Sequence, residues 1–166
     1  MRIQSKILLS FAIALTITSA ASAQGRRMPW TRDEVDAAIS LQVAGQPYRF
    51  EGKAECEHSP VASIYGVMSE MWSVHQNDGQ RSVNLTLWHP RSASGDMFSL
   101  SVGTRGKAYL VNTVKPGGAV KGSGKMTVTR SGAGGTFTIN ATAADGAAIT
   151  GTVKCSAFTA AVAEGG

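Results

Sequence analysis

Hydrophobic and polar positions alternate with a period of two along most of this chain. Ile39, Leu41 and Val43 alternate with Ser40 and Gln42. Tyr48, Phe50, Ala54 and Cys56 then alternate with Arg49, Glu51, Lys53 and Glu55. Such alternation predicts strands with one dry face and one wet face. The turn-forming set Ala44-Gly45-Gln46-Pro47 separates the two runs, which predicts a hairpin.

The pattern continues to the end. Residues 71–75 form a candidate strand, and Gln76-Asn77-Asp78-Gly79 a turn, with Asp-Gly a strong hairpin signal. Val83, Leu85 and Leu87 share one face, as do Phe98, Leu100 and Val102. Gly103-Thr104-Arg105-Gly106 turns the chain and residues 107–114 return. Residues 115–125 are glycine-rich and loop-like. Met126 with Val128, Phe137 with Ile139 and Ala141, and Ile149 with Gly151, Val153 and Cys155 complete the set of inner faces. About nine short strands with no helix between them predict an all-β domain, a single antiparallel β-sandwich or barrel.

Only the start of the domain reads differently. Thr31 suits a helix N-cap, Glu34 completes a capping box, and Trp30 packs on Val35 as a staple. A short helix over residues 32–38 is therefore expected.

Ahead of it, Arg2 and Lys6 precede an apolar run over residues 7–17, and Ala21-Ser22-Ala23 supplies small residues for cleavage. That order is that of a cleavable secretory signal over residues 1–23, and the run is shorter than the roughly 20 residues a membrane crossing needs. Residues 24–166 then form a single exported β-domain, periplasmic or extracellular, with no transmembrane segment once the signal is removed. Residues 24–30 and 159–166 are expected to be flexible.

Export changes the reading of the two cysteines. Cys56 and Cys155 are the only ones, 99 residues apart, and an oxidising compartment predicts one disulfide joining an early strand to the last. Charge is uneven. Residues 24–96 carry seven basic and nine acidic side chains, whereas residues 97–166 carry seven basic and two acidic. The basic half holds Lys115, Lys121 and Lys125 in and beside the glycine-rich segment, a possible surface for an anionic polymer. Basic aromatic clusters are absent, so no nucleic acid is expected as a partner. The segment is not a nucleotide P-loop, because Ser123 follows Gly122 where lysine is required.

Other chemistry is sparse. Glu55-Cys56-Glu57-His58 holds metal-capable atoms, but a paired Cys56 and the wide spacing of His75 and His89 leave no metal set. No nucleophile elbow appears among the serines. Asp78, Asp96 and Glu70 supply carboxylates, with nothing to place any two together. No catalytic, cofactor or metal residue is nominated. Trp88 falls on the face opposite Leu85 and Leu87 and is a second candidate binding platform, for a sugar ring or a partner protein. The glycosylation patterns at Asn84 and Asn140 lie mid-strand and are read as coincidence. The expected function is a non-enzymatic binding or structural role in the envelope or extracellular space. The alternatives are an inhibitor of an extracellular enzyme, and a hydrolase with an unrecognised site.

Overall fold

The computed structural model describes residues 33–92, 95–115, 118 and 120–161. The expected signal peptide lies outside them. Ten strands run in order: β1 Glu34–Val43, β2 Gln46–Ile64, β3 Val67–Asn77, β4 Ser82–Pro90, β5 Met97–Thr104, β6 Lys107–Asn112, β7 Ser123–Ser131, β8 Gly134–Thr142, β9 Ala148–Cys155 and β10 Thr159–Ala160. Among the described residues there is no helix.

The sheet order is β6-β5-β4-β3-β2-β1-β9-β8-β7. Sequence neighbours are sheet neighbours from β1 to β6 and again from β7 to β9, and β1 pairs with β9, so the meander bends back on itself as a nearly closed antiparallel barrel. The seam lies between β6 and β7. There Asn112 and Lys121 exchange two backbone hydrogen bonds, of 2.7 and 2.9 Å, and the Ala144 N–H donates to the Leu110 carbonyl at 2.9 Å. Gly122 carries the chain out of this seam with φ +71°, and a Cβ there would lie 2.2 Å from the Thr142 carbonyl oxygen. Closure satisfies most of the strand edges that an open sheet would leave bare.

The dry faces are those the alternation marks. Ile39, Leu41, Val43, Val83, Leu85, Leu87, Phe98, Leu100, Val102, Met126, Phe137, Ile139, Ala141, Ile149 and Val153 all lie in one core cluster. Side chains from every one of the first nine strands fill the lumen, so the barrel is packed rather than hollow. Cys56 and Cys155 join this core and form the expected disulfide, with Cα atoms 6.3 Å apart.

Two expectations need correction. The helix over residues 32–38 is not formed where it is described: Glu34 to Ala38 lie in β1, paired with β2 over Glu55 to Glu51. The capping box loses to period-two burial, since Ala37 continues the inward row of Ile39, Leu41 and Val43. Trp30, Thr31 and Arg32 lie outside the described residues. Second, β2 does not end at Cys56 but continues to Ile64, across a register shift between Ser59 and Ala62. Thr159 and Ala160 form β10, parallel to β2, with Thr159 beside Glu57.

The long β2 projects with β3 as a hairpin. A second, smaller core braces it: Ile64, Met97 and Val114 pack with Val67 and Trp88. Arg91 fixes it further, donating its backbone N–H to the Met68 carbonyl at 3.0 Å and Nη2 to the Pro60 carbonyl at 3.0 Å.

Candidate functional site

With the lumen filled, a recess lies at one end of the barrel. It is a cleft of about 780 Å³ lined by Val43, Gln46, Pro47, Tyr48, Asp78, Gln80, Arg81, Thr104, Arg105 and Tyr109. The turns after β1, β3 and β5 meet there, because alternate turns of a meander share an end.

Each wall is locked by local chemistry. In the β3–β4 turn, Asn77 Oδ1 accepts the Gly79 N–H at 2.8 Å. Asp78 Oδ1 accepts the N–H groups of Gln80 and Arg81 at 3.0 and 2.7 Å. These side-chain-to-backbone bonds set the loop. They also hold the Asp78 carboxyl below the usual carboxylate range, with the Arg81 guanidinium adding to the effect. Asp78 Oδ2 in turn receives Arg81 Nε and Nη2 at 3.1 and 3.0 Å, and Arg81 Nη1 donates to the Arg49 carbonyl at 3.2 Å. So held, Arg81 lies over the Tyr48 ring, 5.2 Å from its centroid.

Tyr48 is the apolar floor of the cleft and is buried. Burial pushes its hydroxyl up to about 12, so it stays protonated and donates to Gln76 Oε1 at 2.5 Å. Gln76 is itself buried, and its Nε2 has no partner among the described residues. Across the mouth, Arg105 donates Nε and Nη2 to Gln80 Oε1 at 3.1 and 2.5 Å. Lys107 pairs with Asp145 at 2.9 Å and lies 4.6 Å from the Tyr109 ring centroid.

The candidates read from the sequence lie elsewhere. Lys115 follows β6 and is exposed; its neighbours Pro116 and Gly117 fall outside the described residues. Lys121 sits in the seam and borders an outer-wall groove with Asn84, Thr86, Ser99, Ser101 and Leu110. Lys125 is exposed on β7 opposite Asn140. The three lysines thus stand on three different pieces of the fold. Trp88 is half-buried in the bracing cluster, with its other side on a shallow groove that includes Glu55, Glu57, His75 and Thr86.

The histidines pair separately. His58 Nε2 meets Glu70 Oε1 at 2.7 Å while its ring stacks on Trp72, with centroids 5.1 Å apart. His89 Nδ1 meets Asp96 Oδ1 at 2.6 Å, and His75 meets Asn84. Among the described residues no three His, Cys, Asp or Glu side chains converge as a metal site. No protein-family model, curated protein or solved structure matches this chain.

Proposed function

We propose that this protein is an exported, non-enzymatic binding domain, and that its site is the cleft at the end of the barrel. The carrying observation is the packed lumen. A closed meander with a filled interior leaves its ends for ligands, and one end carries a cleft walled by tethered arginines and two tyrosines. Such pre-ordered walls favour binding because little freedom remains to be lost. Export is supported by the signal pattern and by the buried disulfide. Cleavage before Gln24 is expected, and mass spectrometry of the secreted or periplasmic protein reads it directly.

A fragment screen by amide chemical shifts tests the binding reading. Hits should perturb Tyr48, Gln80, Arg81, Arg105 and Tyr109 together. Hits confined to the outer wall would move the site to the surface of Lys115, Lys121, Lys125 and Trp88. An anionic polymer held by those lysines would dissociate steeply as salt rises, and replacing all three by alanine would abolish the effect.

One observation favours a second reading, inhibition of an extracellular enzyme. The braced β2–β3 hairpin ends in Val61, Tyr65 and Met68, exposed to 54, 64 and 46%. A rigid apolar tip is the kind of element that enters another protein's cleft. A stable one-to-one complex lost on Tyr65→Ser, with the barrel-end cleft unaffected, would select this reading.

A further inference from the structure

Among the described residues, charge at the mouth of the cleft is matched pair by pair, with one exception. Arg81 is clamped by Asp78 through two hydrogen bonds to one carboxylate oxygen. Lys107 is matched by Asp145. Arg105 is held by Gln80, whose amide carries no charge. Arg105 therefore brings one uncompensated positive charge to the cleft, at a place where its guanidinium is already oriented.

The orientation is chemically specific. A guanidinium offers donors along two usable edges. Gln80 occupies the Nε and Nη2 atoms of Arg105, which leaves the Nη1 side to point N–H groups at a ligand. A carboxylate fits such an edge with two parallel hydrogen bonds. One unmatched cation balances one carboxylate, whereas a phosphate monoester carries about −1.5 to −2 charges and would leave an excess. Beside this point the cleft presents Pro47 and Tyr109, with Val43 and Tyr48 buried beneath as its floor.

We infer that the cleft takes a small monocarboxylate with a flat or apolar body, its carboxylate on Arg105 and its body against Pro47 and Tyr109. This rests on the cleft being the binding site. Gln80 is then a positioning residue, which fixes the Arg105 fork without touching the ligand's charge.

The test titrates the intact, disulfide-bonded protein with benzoate, its neutral isostere benzamide, and phenyl phosphate, followed by amide shifts. Benzoate should perturb the cleft, weaken with added salt, and bind at least about tenfold more tightly than benzamide. Arg105→Gln should cost about tenfold or more in benzoate affinity while leaving the thermal midpoint unchanged, since Arg105 is an exposed turn residue. Arg105→Lys keeps the charge but not the fork and should fall between. Gln80→Ala should weaken benzoate less than Arg105→Gln does. If benzamide binds the cleft as tightly as benzoate, the carboxylate inference is overturned and the binding reading stands. Tighter binding of phenyl phosphate overturns the choice of a single charge. If none of the three perturbs a cleft residue, the inference falls, and the wider fragment screen decides the binding reading by itself.

Discussion

Removing the disulfide should cost more stability than any other single covalent change to this protein. Cys56 in β2 and Cys155 in β9 flank β1, and both are buried at 0 and 2% exposure. The bond closes a separation of 99 residues. In the folded barrel it adds little constraint, because β1 already pairs with β2 over Glu34 to Val43 and with β9 over Ala37 to Val43. Its main effect is on the unfolded chain, where closing a loop of that length removes entropy worth up to about 4.7 kcal/mol. A domain this size has a total stability of about 5–15 kcal/mol, so the reduced protein should remain folded but lose a large share of its margin. Urea unfolding with and without a reductant measures this while keeping both sulfurs in the core. We expect a loss of about 3–5 kcal/mol and a slightly larger urea dependence, because an unlinked unfolded chain exposes more surface. The Cys56→Ala/Cys155→Ala double variant should lose somewhat more, since it also empties core volume. A loss under about 1 kcal/mol on reduction would refute the entropic reasoning and place residual structure in the unfolded chain.

Two further predictions concern the barrel and its mouth. Gly151→Ala should destabilise by about 2 kcal/mol or more in the same unfolding assay, because its Cβ would lie 2.1 Å from the Ser40 carbonyl oxygen at φ +136°. Gly146→Ala, at φ +88° with open space around it, should cost only about 1 kcal/mol, and equal losses would discount the steric contact. Asp78 has a lowered folded-state pKa, so the Asp78–Arg81 clamp contributes above the ordinary carboxylate pKa of about 3.9 and is lost as pH falls through the lowered value. The Arg81 Nε–H resonance should report this acid titration and Asp78→Asn should remove it; a flat resonance would place the clamp outside the solution structure.

Much of the fold was legible in the sequence, and the site was not. Period-two burial correctly sorts Leu85 from Thr86 and Phe137 from Thr138, because only one face of each strand packs. It fails where burial is not alternate. Residues 57–64 mix exposed, half-exposed and buried positions without alternation in a projecting hairpin, so their pattern carries little period-two signal. Trp88 lies on the face opposite Leu85 and Leu87, but a bracing cluster built from Ile64, Met97 and Val114 covers part of it, and those contacts are distant in sequence. In the sequence the cleft residues carry strand and turn signals, and Asp78 stands only as an unpaired carboxylate. Asp78 and Arg105 each sit in a turn the sequence marks, and nothing local says that they meet with Arg81 between them. Topology supplies that: in a meander, the first, third and fifth turns share an end. Composition points instead to the lysines, which the fold spreads over separate elements.

The tip of the β2–β3 hairpin offers a test of whether the sequence holds strain for function. Two hairpins here have two-residue loops with left-handed backbone at both positions: Ala44-Gly45, at φ 51° and 78°, and Tyr65-Gly66, at φ 48° and 78°. Asn-Gly is the favoured pair for such a turn, since a non-glycine residue at positive φ costs about 1–2 kcal/mol and asparagine recovers part of that. Ala44→Asn and Tyr65→Asn should therefore each stabilise by about 0.5–1 kcal/mol. Strain alone does not mark a functional residue, because Ala44 shares it. What sets Tyr65 apart is a large ring left 64% exposed between Val61 and Met68, where it adds little to the core. If Tyr65→Asn stabilises the protein, the ring is held at the tip for something other than stability, and the partner-docking reading gains its anchor. If Tyr65→Asn destabilises while Ala44→Asn stabilises, the ring has a structural contact in solution, and the hairpin tip no longer supports an inhibitor.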